Sequence, residues 1–132
     1  VDQDVVRVPR GVEKIEVLHD LLTQPEFKKV LIFRETKRHV DELARELRGR
    51  GFASLPIHGD MRSRERMRTI ESFSKGSATI VVATDVAARG IDIPDITHVI
   101  NYDVPSTYDT YVHRIGRTGR GNKKGIALTF VR

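Results

Sequence analysis

Three arginines recur at every third position in the run His113-Arg114-Ile115-Gly116-Arg117-Thr118-Gly119-Arg120, with a histidine in front and a glycine before each of the last two. On a helix, that spacing places the side chains on one side. The glycines then end the helix and let the backbone come close to a ligand. Guanidinium groups suit bidentate contact with phosphate oxygens. Three of them on one side repel each other unless acidic groups stand between. A merely solvated basic helix end would not interleave glycines in this way, because each costs roughly 1 kcal/mol of helix stability. These residues point to the holding of a phosphate-like anion.

Acidic partners are available in a second stretch, Thr84-Asp85-Val86-Ala87-Ala88-Arg89-Gly90-Ile91-Asp92. As structure, it is a self-neutralised turn. As function, its two carboxylates orient arginines and hydrogen-bond a ligand hydroxyl, while Gly90 lets backbone N–H groups approach an anion. A third stretch, His58-Gly59-Asp60-Met61-Arg62-Ser63-Arg64-Glu65-Arg66, is a turn running into a helix. A helix start with free N–H groups and arginines nearby is a phosphate-binding arrangement, although ordinary capped helices share this composition. Arg34-Glu35-Thr36-Lys37 opens a further helix, with Thr36 as its cap.

The elements that must position these residues follow from hydrophobic periodicity. Residues 1–8 alternate loosely and suit an edge strand or the end of an incoming linker. Val17, Leu18, Leu21 and Leu22 predict a helix over 13–22. Continuous apolar runs at 29–33 and 78–83 predict strands buried on both faces. Further strands are expected at 53–57, 96–100 and 126–131. Helices are expected from Thr36 to about Arg50, with Val40, Leu43, Ala44 and Leu47 inward, and from Ser63 to about Gly76, with Met67, Ile70 and Phe73 inward. Ser106 is expected to cap the helix that leads into His113. Strands alternating with helices over short connections indicate an α/β fold with a mostly parallel sheet. The polar stretches all follow strands, at the edge where ligands bind in open α/β sheets.

Composition is consistent with one domain. The chain has 132 residues, 39% hydrophobic and 31% charged, enough for a real core. With 23 Lys and Arg against 18 Asp and Glu, its net charge of +5 permits a polyanionic partner without requiring one. The lack of cysteine excludes disulfides and thiolate metal sites, and the five histidines show no ligand spacing. No apolar run reaches the ~18 residues of a membrane span. The chain starts at Val1 without a methionine and reads as one piece of a longer protein, with a cytoplasmic default, or a nuclear one in a eukaryote.

Taken together, these stretches resemble the second RecA-like domain of a DEAD-box RNA helicase. Residues 30–43 resemble the family's motif IV and residues 58–66 the motif after it; residues 83–92 resemble motif V and 113–120 motif VI. Four motifs in order, over essentially the whole chain, are far more specific than any one alone. The leading His113 stands where DEAH-type helicases usually carry Gln. The resemblance implies a RecA-like three-layer sandwich with helices on both faces of the sheet. It implies that Arg117 and Arg120 are arginine fingers on the β/γ-phosphate end of ATP, and that His113 and Arg114 couple ATP to an acidic motif on the other domain. Asp92 matches a carboxylate on the ATP ribose, with Gly90 and Arg89 close to the nucleotide. Thr36, Gly59, Asp60, Arg62 and Arg66 match an RNA-backbone surface, and Thr84 the RNA side of motif V.

Two positions depart from the family pattern. Ser63 stands where Gln is frequent, and Gly121-Asn122 replaces a small residue followed by Gly. The chain contains neither a Gly-x-x-x-x-Gly-Lys-Thr loop nor an Asp-Glu-Ala-Asp run. The phosphate cradle and the ligands of ATP-bound Mg are therefore expected on an N-terminal RecA-like domain. The isolated domain is expected to be monomeric and to hydrolyse no ATP. Two other readings remain open at this stage: a superfamily 2 helicase or translocase acting on DNA, and a non-catalytic nucleic-acid-binding module with the same fold.

Overall fold

Three four-residue runs in which every side chain is buried form the middle of the molecule: β2 (Val30–Phe33), β4 (Ile80–Ala83) and β5 (His98–Asn101). Such strands must be covered on both faces. Around them the computed structural model, which describes residues 1–119 and 125–132, places β1 (Asp2–Arg7), α1 (Lys14–Leu22), α2 (Lys37–Gly49), β3 (Ser54–Ile57), α3 (Ser63–Lys75), α4 (Asp85–Ala88), α5 (Tyr108–Ile115) and β6 (Ile126–Val131). Arg120 and the Gly121-Asn122 pair lie outside the described residues.

The six strands form one sheet in the order β1-β6-β5-β2-β4-β3, and every neighbouring pair is parallel. The expected mostly parallel sheet is therefore wholly parallel among the described residues. The first strand of the chain is an outer strand against the last, as an edge strand should be. Successive side chains on a strand point to opposite faces, and the core divides accordingly. Ile32, Val82 and Ile100 join Leu18 of α1 and Val40 and Leu47 of α2 on one face. Leu31, Phe33, Val81 and Val99 join Phe73 of α3 and Ala87 of α4 on the other. This is the three-layer arrangement that the family resemblance implied.

Connectivity decides where a site can form. From β2 the chain goes outward to β3, returns to β4 beside β2, and then crosses to β5 on the other side of β2. Ligands of open α/β sheets bind outside the carboxyl ends of the strands at such a reversal. In the register, Phe33 lies level with Ala83 and with Asn101, and Ala83 with Ile57. The loops after β2, β3, β4 and β5 thus leave the sheet at one height.

The start of α3, one of its inward residues and the start of α5 differ from the sequence reading. Arg62, with extended backbone at φ −68° and ψ 149°, is the residue before α3, and no side chain caps that helix; Ser63 is already inside it. Met67 is not inward but 69% exposed, while Thr69 and Phe73 are buried. At 3.6 residues per turn, Met67 stands roughly 120° round the helix from Phe73, which takes it off the core stripe. The cap of α5 is Thr107 rather than Ser106, its hydroxyl accepting from the Thr110 N–H at 3.0 Å. Thr36 caps α2 as expected, accepting from the His39 N–H at 3.1 Å.

Candidate functional site

Helix α5 carries Arg114 inward, with its side chain only 2% exposed. A buried guanidinium needs partners for its N–H groups, and four of the five are taken. Nε and Nη2 donate to the two carboxylate oxygens of Asp85 at 2.6 and 2.8 Å, and Nη1 donates to the Asp103 carbonyl at 2.8 Å and the Asn101 amide oxygen at 3.3 Å. Asn101 is itself oriented by donating from Nδ2 to the Thr129 hydroxyl. The guanidinium also sits 5.0 Å from the centre of the Phe33 ring. The pairing of arginine with carboxylate, open in the sequence, is therefore Arg114 with Asp85, across α5 and α4.

Arg117 is held differently. It lies beyond the end of α5 and is partly exposed, donating from Nη1 to the Ile91 carbonyl at 3.0 Å and from Nε to the His113 carbonyl at 3.4 Å. Both anchors are neutral carbonyls, so its charge has no carboxylate opposite it in these contacts. The helix does end at Gly116, but in right-handed conformation at φ −63°. The positive φ belongs to Gly119, at +67°, where an added Cβ would overlap a methyl of Val1. Between them, the buried Thr118 donates to the Ile96 carbonyl at 2.5 Å. Arg120 lies outside the described residues.

An open cleft of about 250 Å³ separates α4 from α5. Asp85, Arg89, Gly90, His113, Arg114 and Arg117 line it, above Phe33 at the end of β2. Gly90 has φ +77° and, like Arg89 and His113, is exposed. Asp92 is exposed but is not part of the cleft wall. Thr84 is 8% exposed, and its hydroxyl caps α4 by accepting from the Ala87 N–H at 3.4 Å, so it serves the fold first.

The other candidate residues gather on the loops after β2 and β3. Thr36, Gly59, Asp60 and Arg62 are exposed. Lys37 Nζ donates to Asp60 at 2.8 Å, which holds that carboxyl below its usual range. Arg66 donates from Nη2 to the Arg89 carbonyl at 3.2 Å and so links this group to the wall of the cleft. Asp103, which sequence reasoning passed over, is a third organising carboxylate. It accepts two bonds from Arg34 and one from the Glu35 N–H, at 3.0, 3.1 and 2.7 Å. Burial alone would raise its carboxyl; those hydrogen bonds and the positive charges of Arg34 and Lys14 outweigh that and bring it below the ordinary carboxylate range. Asn101, Asp103 and Asp41, whose Oδ1 lies 2.9 Å from Nε2 of His58, were missed because nothing local marks a side chain whose partner is distant in sequence. The only signal was position, Asn101 and Asp103 standing at the carboxyl end of an apolar strand.

Among the described residues, no group of three or more His, Asp or Glu side chains could hold a metal ion. No described helix is long and apolar enough to cross a membrane.

Comparison with known proteins places this geometry. Residues 13–122 match the family model described as the helicase conserved C-terminal domain. The chain is 50% identical over 131 residues to the ATP-dependent RNA helicase CshA of Listeria monocytogenes, covering 99% of this chain and 25% of that protein. It thus spans about a quarter of the length of that relative. Among solved structures it is similar to the E. coli DEAD-box protein SrmB bound to regulator of ribonuclease activity A, with a TM-score of 0.93 and 42% identity over 99% of this chain and 77% of that one. It is also similar to S. cerevisiae Dbp5 bound to RNA and ADP BeF3, with a TM-score of 0.87 and 36% identity over 99% of this chain and 35% of that one. With its parallel sheet, its order of motifs and the cleft at the strand reversal, the chain belongs to the helicase C-terminal domain family, as the second RecA-like domain of a DEAD-box RNA helicase.

Proposed function

We propose that this domain forms one wall of a composite ATP site and part of an RNA-backbone surface in an ATP-dependent RNA helicase. The other wall would come from an N-terminal RecA-like domain. The observation that carries the proposal is Arg117 at the cleft: among the described residues its guanidinium is anchored by two neutral carbonyls, beside exposed His113 and Gly90. Charge left unpaired within the fold is charge available to an anion. The relatives support the reading, since one is named an ATP-dependent RNA helicase and another was solved with RNA and a nucleotide.

The donor set fits the phosphate end of a nucleotide but not its metal. Arg117, with Arg120 after it, would meet the β/γ-phosphate end, and His113 would face the other domain. Gly90 and Arg89 would flank the nucleotide, with Asp92 toward the ribose. ATP bound with Mg would bring the reactive phosphoryl group; this chain's part is to orient it and neutralise charge. Arginine fingers of this kind can be worth ~10³-fold or more in rate. Arg114, with four N–H groups already occupied, acts by fixing α5 against α4 so that His113 and Arg117 face the cleft. Thr36, Gly59, Asp60, Arg62 and Arg66 would contact phosphates and ribose hydroxyls, which makes binding independent of sequence. Thr84 would contribute through the loop it caps.

RNA-stimulated ATP hydrolysis by the full-length protein tests this. Arg117→Ala is expected to abolish it while single-stranded RNA binding persists; undiminished hydrolysis would remove the arginine-finger assignment. Equal separation of RNA and DNA duplexes would favour the DNA-directed reading. Failure of ATP analogue and the N-terminal domain to produce a closed state would favour a non-catalytic module. The domain alone is expected to be monomeric and to hydrolyse no ATP.

A further inference from the structure

His58 occupies a place in the sequence motif that neither the ATP cleft nor the exposed RNA surface explains. Its residue is 9% exposed, at the end of β3, just before the exposed Gly59 and Asp60. Its ring makes two polar contacts: Nε2 lies 2.9 Å from Oδ1 of Asp41 on α2, and Nδ1 lies 3.2 Å from the backbone nitrogen of Asp60. A backbone N–H can only donate, so Nδ1 must be the unprotonated acceptor. The proton is then on Nε2, pointing at a carboxylate that accepts it, and one tautomer satisfies both contacts. The turn closes around the ring as well, with the Met61 N–H donating to the His58 carbonyl and the His58 N–H approaching the Met61 sulfur at 3.4 Å.

We propose that His58, oriented by Asp41, is a positioning residue for the RNA-backbone surface. Its ring holds the Asp60 N–H from beneath and so fixes which way the Gly59-Asp60 backbone faces. Lys37 fixes the Asp60 side chain from α2 at the same time. Three groups carried by α2 and the end of β3 thereby set one short exposed loop. A flexible loop would have to be ordered when a phosphate arrives; this one is ordered beforehand, and preorganisation of that kind raises affinity without adding a contact. Asp41 selects the tautomer: without a carboxylate at Nε2, the proton is free to sit on Nδ1, where it opposes the Asp60 N–H.

The inference rests on the RNA-surface reading, and the experiment separates the two. Affinity of the full-length protein for a single-stranded oligoribonucleotide is measured by fluorescence anisotropy with a non-hydrolysable ATP analogue, alongside the KM for ATP at saturating RNA and the thermal midpoint. His58→Ala is expected to weaken RNA binding roughly tenfold, the scale of one unmet buried hydrogen bond, with the KM for ATP unchanged. Asp41→Leu should weaken it in the same direction, and the double variant should be no worse than His58→Ala alone. His58→Asn is the informative variant. An asparagine oxygen can accept from the N–H two residues on in an Asx turn, so it restores the acceptor for Asp60 without restoring the ring. It should recover most of the affinity if the loop is what matters. Asparagine no better than alanine, or an unaffected His58→Ala, overturns the proposal. Arg66→Ala serves as reference: if it weakens RNA binding and His58→Ala does not, this inference fails alone; if neither does, the RNA-surface reading fails with it.

Discussion

The cleft beside α5 and the loop after β3 rise from neighbouring strand ends, yet they hold their polar groups in different ways. In the cleft, side chains do the work. Arg114 is buried and consumed by Asp85, Asn101 and the Asp103 carbonyl, while Arg117 keeps its charge and gives up only N–H groups to carbonyls. After β3, backbone is presented, and the side chain that matters, His58, lies underneath it. The contrast is between a charge neutralised inside the frame, Arg114 on Asp85, and one held, among the described residues, by carbonyls, which is what the proposed anion role of Arg117 requires. The proposed RNA-backbone surface would rely instead on a fixed loop shape.

The largest test of this division is Arg117→Ala in the full-length protein. It should cut the kcat of RNA-stimulated ATP hydrolysis by ~10³-fold and leave folding stability within about 0.5 kcal/mol; steady-state kinetics beside a urea titration reads both. Asp85→Ala should behave in the opposite way. It strands Arg114 as a buried charge without its carboxylate, which costs on the order of 3 kcal/mol, visible as a shift in the urea midpoint before any kinetics are measured. If the two variants exchanged phenotypes, the assignment of Arg114 to the frame and Arg117 to the anion would be reversed.

A smaller effect concerns acid. Asp103 in the fold has its carboxyl below the ordinary value, so it binds its proton less readily when folded than when unfolded. Its contribution to stability is therefore fully present above the unfolded carboxylate value of about 4 and is lost as the pH falls through the lower, folded one. Unfolding midpoints measured between neutrality and pH 3 should fall less steeply for Asp103→Asn than for the unaltered protein. The smallest is the cap of α5: Thr107→Ala should cost about 1 kcal/mol, and Ser106→Ala close to nothing, by the same urea titration.

That last pair shows where the sequence could be read and where it could not. Strands 30–33 and 80–83 were legible because side chains buried on both faces leave a continuous apolar run. Helix faces were legible where the stripe was long, as for Val40, Leu43, Ala44 and Leu47, and failed at Met67, where an apolar residue happens to stand just off the stripe. Caps were one residue out at Thr107, because neighbouring Ser and Thr share the chemistry and only the backbone angle decides between them. The polar stretches were correctly placed at the carboxyl edge of the sheet. What they do to each other was not legible: Arg114 meets Asp85, His58 meets Asp41 and Arg34 meets Asp103 across the strand order, and strand order leaves no local trace.

The pairing of β1 with β6 ties the cleft to a strand far from it in the sequence. β1 has its place in the sheet beside β6, the strand farthest from it along this sequence. Tyr111 of α5 donates its hydroxyl to Gln3 of that first strand, and Val1 fills the space beside Gly119. Until β6 is in place, β1 lacks its neighbour in the sheet, and the arginine segment lacks the strand that braces it at both ends. Closing such a long loop is a late and slow step in folding. A chain lacking β6 would carry all four motifs and still present them poorly ordered.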